Sequence, residues 1–361
     1  MSRPLPAGTD LPPAKRYDVA LLDLDGVVYV GPKGVPGAAE ALEEARGAGM
    51  RLAFVTNNAS RTPDAVAAHL RELGVSAAAD EVVTSAQAAC RVLAERFPAG
   101  SRVLVVGGDG LRQAALERGF VLVDRSEDGP TVVVQGFSQD IGWRQLAEAS
   151  VAVRSGAYWL ATNLDMTIPS ERGPVPGNGA LVTAVRLATG VEPAAVTGKP
   201  DPAMHQESVD RARARHPIVV GDRLDTDIEG ATRVGCDSLL VLTGVTTAAD
   251  LLAAPPERRP TYVAADLAGL LVGHPAPSPD SEGGWSCAGW AARPEGDQLV
   301  LERPGDRSED PAPDSVDALR ALCAAAWAGG RAFTAVRPAD HPAEAAAGEL
   351  GLTGRSGRRP R

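Results

Sequence analysis

The sequence predicts an α/β protein: a Rossmann-like parallel sheet, interrupted by a second α/β block and followed by a small α+β extension. Three observations predict it. Short apolar runs end in polar or acidic residues, as strands buried on both faces do. Segments of helical spacing, bounded by glycine and proline, alternate with those runs. The 361 residues amount to roughly two domains at ~150 residues each, with some chain to spare.

Residues 1–14 are proline-rich and are expected to form a flexible tail. Val19-Ala20-Leu21-Leu22 then reads as a strand ending at Asp23, and Pro36 to Met50 as a helix that Gly49 terminates. Leu52-Ala53-Phe54-Val55-Thr56 is a second strand. Thr62-Pro63 is an N-cap and first-turn pair, with Val66, Leu70 and Leu73 on one helical face and Gly74 as the stop. Strand and helix alternating through short loops imply a parallel sheet covered by helices. A second block starts near Cys90, with strands at Val103–Val106, Val132–Val134 and Tyr158–Leu160 and a helix over Leu111–Arg118. The first pattern resumes at Ile218–Val220 and Leu239–Val241 and closes near Thr261–Val263. The expected divisions are therefore 1–14 tail, 15–89 with 197–273 core, 90–196 inserted block, 274–281 proline-rich linker and 282–361 extension. Three of the five tryptophans, Trp285, Trp290 and Trp327, fall in that extension and argue for a packed unit there. Trp143 and Trp159 are expected to pack inside the inserted block.

Composition narrows the function classes. Apolar residues make up 44% and charged residues 23%, which fits a globular chain and excludes wholesale disorder. The 36 Lys and Arg against 46 Asp and Glu give a formal charge of −10, so no broad field favours nucleic acid. The Arg-rich stretch 355–361 reads as a solvated terminus. No apolar run is long enough for a bilayer and the amino terminus has no apolar leader core, so a cytoplasmic protein is expected. Cys90, Cys236, Cys287 and Cys323 stand far apart without a C-x-x-C pair, which points to reduced thiols rather than a zinc or disulfide framework. The five histidines lack metal-site spacing, and Gly107–Gly110 lacks the full dinucleotide-binding glycine spacing.

The chemistry concentrates at strand ends, where parallel sheets bind ligands. Asp23-Leu24-Asp25-Gly26 puts two carboxylates after the first strand, and Gly26 turns the chain away. Thr56-Asn57-Asn58 ends the second strand with a hydroxyl and amides suited to phosphate oxygens. Lys199 lies in Gly198-Lys199-Pro200, and Gly221-Asp222 to Asp227 brings further carboxylates after a third strand. Each pattern taken singly is also a turn, a surface lysine or an acidic helix start.

Taken in this order, D-x-D-G-V, T-N-N, G-K-P and G-D-x-x-x-x-D resemble the four motifs of the haloacid dehalogenase superfamily over about 250 residues, Tyr17 to Leu271. Only 30 residues, 26–55, separate Asp25 from Thr56, whereas about 140 separate Asn58 from Lys199. The resemblance thus implies a C2-type cap at 90–196. Thr56-Asn57-Asn58-Ala59-Ser60, Ala161-Thr162-Asn163 and Pro176-Gly177-Asn178-Gly179 further resemble the NagD-like subfamily IIA phosphatases.

What the resemblance implies is a Mg²⁺-dependent phosphomonoester hydrolase. Asp23 is then the nucleophile that forms an aspartyl phosphate, and Asp25 the general acid and base. Thr56, Asn57, Asn58 and Lys199 bind the phosphoryl group. Asp23, the Asp25 carbonyl and Asp222 ligate Mg²⁺, and Asp227 supports Lys199 or the metal-bound waters. Asp165, Met166, Thr167, Ile168 and Pro169 fall where relatives place specificity residues; the aliphatic Ile168 favours a small polyol phosphate over a flat aromatic one. The extension resembles that of actinobacterial glycerol 3-phosphate phosphatases, a partial acetyltransferase-like fold, here without a glycine-rich loop for acetyl-CoA. Glycerol 3-phosphate is the leading substrate; phosphoglycolate, a sugar phosphate or 4-nitrophenyl phosphate are alternatives. A different class is an inactive scaffold presenting the extension to a partner. Neither nucleic acid nor membrane is an expected partner, and the oligomeric state stays open, a homodimer being one option.

Overall fold

The computed structural model describes residues 8–168, 173–281, 283–305, 314–329 and 332–353. The chain divides into two compact units, one of Met1–Ala20, Glu44–Met50 and His216–Arg361, the other of Leu21–Glu43 and Arg51–Arg215. A helical turn, α1 (Pro13–Arg16), precedes strand β1 (Val19–Leu22), whose four residues are all buried.

In the unit of residues 21–43 and 51–215, Asp23 and Asp25 follow β1. Gly26, at φ 88°, opens the turn, and the N–H groups of Val28 and Tyr29 return to the Leu24 carbonyl. A small hairpin follows, β2 (Tyr29–Val30) with β3 (Lys33–Gly34), and then helix α2 (Ala38–Gly47). Strand β4 (Arg51–Thr56) is buried from Leu52 onward. Helix α3 (Pro63–Glu72) is capped as expected: the Thr62 hydroxyl oxygen accepts from Ala65 N at 3.2 Å. β4 pairs in parallel with β5 (Val82–Thr84), and α4 (Ser85–Arg96) begins at once.

That start is a capping box, Thr84 with Gln87, in which each side chain satisfies the other's backbone N–H. α4 runs through residue 90, the expected beginning of the inserted block. Its apolar face, Ala86, Ala89, Cys90 and Leu93, packs with Val103, Leu111 and Val132. Helix face and sheet therefore form one core, because a half-buried helix follows its apolar partners.

The sheet concerned has five parallel strands in the order β12-β9-β8-β6-β7: β6 (Arg102–Val106), β7 (Val121–Val123), β8 (Val132–Gln135), β9 (Tyr158–Ala161) and β12 (Ala195–Val196). One face is covered by α4 and α5 (Asp109–Glu117), the other by α6 (Trp143–Arg154) and α7 (Asn178–Thr189). Between β9 and α7 lies an antiparallel pair, β10 (Thr167–Ile168) and β11 (Val175–Pro176). Trp159 is buried and donates to Gln135 Oε1 at 3.2 Å, as packing requires. Trp143 departs from expectation: it is 82% exposed, since it sits in the first turn of α6, on the side away from the sheet. Helix α8 (Pro202–Ala212) closes this unit.

In the other unit, β13 (Pro217–Gly221), β14 (Asp237–Val241) and β15 (Tyr262–Ala264) pair in parallel, with α9 (Glu229–Val234) and α10 (Ala248–Leu252) between them. The extension adds a five-stranded sheet, β16 (Ser278–Pro279), β17 (Trp285–Cys287), β18 (Trp290–Glu295) and β19 (Gln298–Glu302) antiparallel, with β20 (Ala335–Pro338) parallel to β19. Helix α11 (Ser315–Ala328) is apolar nearly all round because it is covered on both sides. Ala318, Ala321 and Leu322 pack with Trp290 and Leu301, while Val316, Leu319 and Cys323 pack with Leu240 and Val263. Helix α12 (His341–Glu349) completes it.

Two expected loose segments are tied down. Thr9 and His274 exchange backbone hydrogen bonds at 2.7 and 2.8 Å, so residues 8–16 of the proline-rich start are held, whereas 1–7 lie outside the described residues. The 274–281 segment, expected as a linker, carries buried His274 and strand β16. Thr9 and His274 stand 265 positions apart, so no local pattern carries their pairing. All four cysteines are free; burial pushes the Cys90 and Cys287 thiols up to about 12, which leaves them protonated and inert. Among the described residues no helix is long and apolar enough to cross a membrane. The Arg-rich stretch 355–361 lies outside the described residues.

Candidate active site

Lys199 organises the site in its unit. Its side chain is almost fully buried, and its ammonium forms an ion pair with Asp23 Oδ1. A buried ammonium persists only with such a partner, since losing water disfavours the charged form. Nζ also lies 3.5 Å from the Val55 carbonyl oxygen, and Lys199 N donates to Asn57 Oδ1 at 2.8 Å. The carboxylate after β1 and the amide after β4 thus share one lysine, although 142 positions separate Asn57 from it.

Asn57 is held on every side. Its carboxamide Nδ2 donates to Lys199 O at 3.3 Å and to Asp165 Oδ2 at 3.2 Å. Its carbonyl accepts from Ser85 Oγ at 2.6 Å and Asn163 Nδ2 at 2.8 Å. Thr56 is buried, and its hydroxyl oxygen accepts from Asn58 N at 3.1 Å. Asn58 turns its side chain to Ser60, accepting from Ser60 N at 2.8 Å and Ser60 Oγ at 2.7 Å. Gly198 makes the close approach possible: a Cβ there would fall 2.5 Å from the Thr162 carbonyl oxygen and 2.7 Å from Asn163 Cβ.

The Asp25 carboxyl is itself open to solvent, yet enough protein surrounds it that lost hydration holds it above its ordinary value. Lys199, Arg61 and His69 pull the other way. A carboxyl raised in this sense is suited to carrying a proton. Sequence reasoning gave Arg61 and His69 no part in this electrostatic setting.

In the other unit, Asp222 and Asp227 follow β13 and are both buried. Asp222 Oδ2 accepts from Val245 N at 2.6 Å, and Asp227 Oδ2 from Arg223 N at 3.1 Å. Two glycines make room for them. A Cβ on Gly244 would fall 2.0 Å from Asp222 Oδ2, and one on Gly221 would fall 2.2 Å from Asp227 Cβ. Carboxylates embedded in backbone cradles of this kind are hard-oxygen donors held ready, which fits Mg²⁺ and not a soft metal.

Ile168 lies in β10, half-buried and opposite Val175; Pro169, from the same expected group, lies outside the described residues. Sequence reasoning gave no site role to Asn163 and Asn178. Asn178 Nδ2 donates to the Asn163 carbonyl oxygen at 2.8 Å, as Asn163 does to that of Asn57. The signal was present as the T-N and G-N-G strings.

Comparison with known proteins accords with these arrangements. The profile for haloacid dehalogenase-like hydrolases matches residues 20–121, the HAD-hydrolase-like profile 196–270, and that of a GCN5-related N-acetyltransferase like domain 287–352. The D-glycerol 3-phosphate phosphatase of Mycobacterium tuberculosis is 46% identical over 319 residues, 87% of each chain. An acid sugar phosphatase of Staphylococcus saprophyticus is 38% identical over 70% of this chain and 96% of its own. Among solved structures, the glycerol phosphate phosphatase of Mycobacterium tuberculosis in complex with magnesium gives a TM-score of 0.85 at 44% identity, covering 95% of this chain and 99% of that one. The 4-nitrophenylphosphatase of Thermotoga maritima gives 0.66 at 32%, covering 72% and 97%. Four motifs in order, a lysine tied to the first of them, and relatives similar along nearly the whole chain have one common explanation: this chain belongs to the haloacid dehalogenase-like hydrolases, in their NagD-like branch.

Proposed function

We propose that this protein is a magnesium-dependent phosphomonoesterase whose substrate is glycerol 3-phosphate, working through an aspartyl-phosphate intermediate. The observation that carries the chemistry is the ion pair of Lys199 with Asp23, closed over by Asn57. Asp23 attacks phosphorus in line, the P–O bond to the leaving group breaks, and Asp25 delivers its proton to the departing alkoxide. Water, losing a proton to Asp25, then cleaves the acyl phosphate. Lys199, Thr56, Asn57 and Asn58 hold the phosphoryl oxygens as negative charge redistributes over them. Asp23, the Asp25 carbonyl and Asp222 would hold Mg²⁺, which when bound offsets the repulsion between a carboxylate and a phosphate dianion. Asp227 supports this arrangement from its place in the turn after β13.

The substrate reading rests on the full-length similarity to a D-glycerol 3-phosphate phosphatase. The block from α4 to β12, residues 85–196, acts as the cap that selects the leaving group, and the enzyme works in the cytoplasm. The extension is a packing element: α11 is buried against β14 and β15 of its own unit. Phosphate release from a panel of monoesters, with Mg²⁺ and with EDTA, tests the proposal. Glycerol 3-phosphate should rank first by kcat/KM and EDTA should abolish turnover. Equal release by wild type and Asp23→Asn would refute the mechanism, and a higher rank for phosphoglycolate, a sugar phosphate or 4-nitrophenyl phosphate would move the substrate.

A further inference from the structure

Gly107-Gly108-Asp109-Gly110 lacks the spacing for a dinucleotide, yet it stands where the five-stranded parallel sheet would hold a ligand. From β6 the chain runs to β7 on one side and then to β8 on the other, so the strand order reverses between β6 and β8. Gly107 follows β6 and Gly136 follows β8 at the carboxyl ends of those strands. The chain itself fills the crevice there. Ala59, Ser60 and Arg61 lie in it, and Gly110 N, in the first turn of α5, donates to the Ser60 carbonyl oxygen at 3.0 Å. A Cβ on Gly110 would fall 2.3 Å from the Arg61 carbonyl oxygen, one on Gly108 2.9 Å from that of Ser60, and one on Gly136 3.0 Å from Ala59 Cβ. Neither Gly108 nor Gly110 has a positive φ, so close approach and not backbone conformation calls for glycine. In a helix glycine is otherwise weaker than alanine.

The seat of Ser60 reaches the loop before it. Ser60 N and Oγ both donate to Asn58 Oδ1, at 2.8 and 2.7 Å, and Asn58 N donates to Thr56 Oγ1 at 3.1 Å. Buried Leu111, Ala114 and Ala115 anchor α5, whereas Ser60 is half-buried and Arg61 exposed. When the seat is crowded, the loop gives way before the helix does.

We infer that Gly108 and Gly110 are positioning residues for phosphoryl transfer: the ligand crevice of the inserted block is the seat of the chain that follows Thr56 to Asn58, and it sets where those three residues present their donors. This rests on the phosphomonoesterase reading and deepens it. Relieving the Gly110 Cβ contact to an ordinary 3.4 Å moves the Arg61 carbonyl by about 1 Å, and a misplacement of that size costs up to ~10²-fold in rate. The loop serves the phosphoryl group, which all esters share, so the loss is the same whatever the leaving group.

The test uses the full chain with Mg²⁺, glycerol 3-phosphate and 4-nitrophenyl phosphate as substrates, and orthovanadate as a five-coordinate mimic of the transferring phosphoryl group. Gly110→Ala should lower kcat/KM by about 10²-fold and Gly108→Ala by about tenfold, equally for both esters, with a parallel rise in the vanadate inhibition constant. Gly142→Ala is the matched control. Gly142 is, like Gly108, the N-cap glycine of a helix in the same block, but an added Cβ there would meet nothing nearer than Gln145 Oε1 at 3.9 Å; its kinetics should stay within about twofold of wild type. Thermal melts beside the assays separate a displaced loop from an unfolded chain, and if Gly110→Ala does not fold, the Gly108→Ala and Gly142→Ala pair decides. Wild-type kinetics and vanadate inhibition in folded Gly110→Ala or Gly108→Ala overturn the inference, as does an equal loss in Gly142→Ala or a loss that differs between the two esters. Each of these leaves the phosphatase reading standing. A wild type inert toward every monoester removes that reading, and the inference with it.

Discussion

The loops that follow β1 and β4 and the body built around α11 solve opposite problems. In the first, Thr56, Asn57 and Lys199 are polar groups held out of or near the edge of water, and each is satisfied by a specific partner. In the second, ten residues of α11 from Val316 to Ala326 are buried, all but Arg320 apolar. Polar groups in a crevice need directional contacts and tolerate little change, whereas an apolar body needs only volume and pattern. The difference teaches where activity resides: substitutions in the loops should act on rate, and those in the extension on stability.

The largest expected effect breaks the loop side. Asp23→Asn should lower kcat by on the order of 10⁴-fold or more if the proposed nucleophile is removed while the fold remains; phosphate-release assays beside a circular dichroism melt separate the two. Lys199→Met should cost about 10²–10³-fold, the range for losing one charge-stabilising donor, and a loss within tenfold would demote the lysine to a structural role. On the other side, Trp290→Ala should destabilise the fold by roughly 3–5 kcal/mol, the toll of emptying an aromatic's site. Trp290 is fully buried and donates to the Asp314 carbonyl oxygen at 3.1 Å. The folded fraction should keep its kcat, and a matching fall in kcat would mean that the extension takes part in the reaction.

A pH effect sharpens the stability side. His274 is buried between Gly269, whose carbonyl faces Nε2 at 2.8 Å, and Arg320, which lies 3.1 Å from Nδ1. Lost hydration, then the nearby guanidinium, lowers its pKa from 6.5 to about 4. The unfolded chain binds a proton near 6.5 that the folded chain refuses until about 4. Stability present above pH 6.5 is therefore lost as pH falls through that window, by up to about 3 kcal/mol. Chemical denaturation at several pH values should show this slope in the wild type and a flatter one in His274→Gln. The smallest effect concerns Ile168: replacement by valine should move the glycerol 3-phosphate to 4-nitrophenyl phosphate ratio by less than about tenfold, as one methylene allows. A larger shift would make Ile168 a main determinant of the leaving group.

Local chemistry made much of the fold readable. Thr62-Pro63 starts α3, apolar runs form β1, β4, β6, β8 and β13, and glycines end the helices. What was misplaced has a physical cause in each case. The division at residue 90 cut α4, because the Thr84–Gln87 box was overlooked and because a helix joins whichever apolar face it meets. Trp143 was assigned to a core that its first-turn position keeps it from reaching. The proline-rich start looked loose because its partner, His274, lies 265 positions away from Thr9.

Residue order alone held the strings around Asp23, Thr56 to Asn58, Lys199 and Asp222, whose resemblance to the haloacid dehalogenase motifs implied the family, and the spacing between them leaves one place for an insertion. Only the tertiary structure decided that Asn57 stands between Lys199 and Asp165, and that glycines at 177, 179 and 198 allow those backbones to meet. Local propensity acts over a few bonds, while these contacts join residues more than a hundred positions apart, whose separation in space is set by how sheets and helices pack.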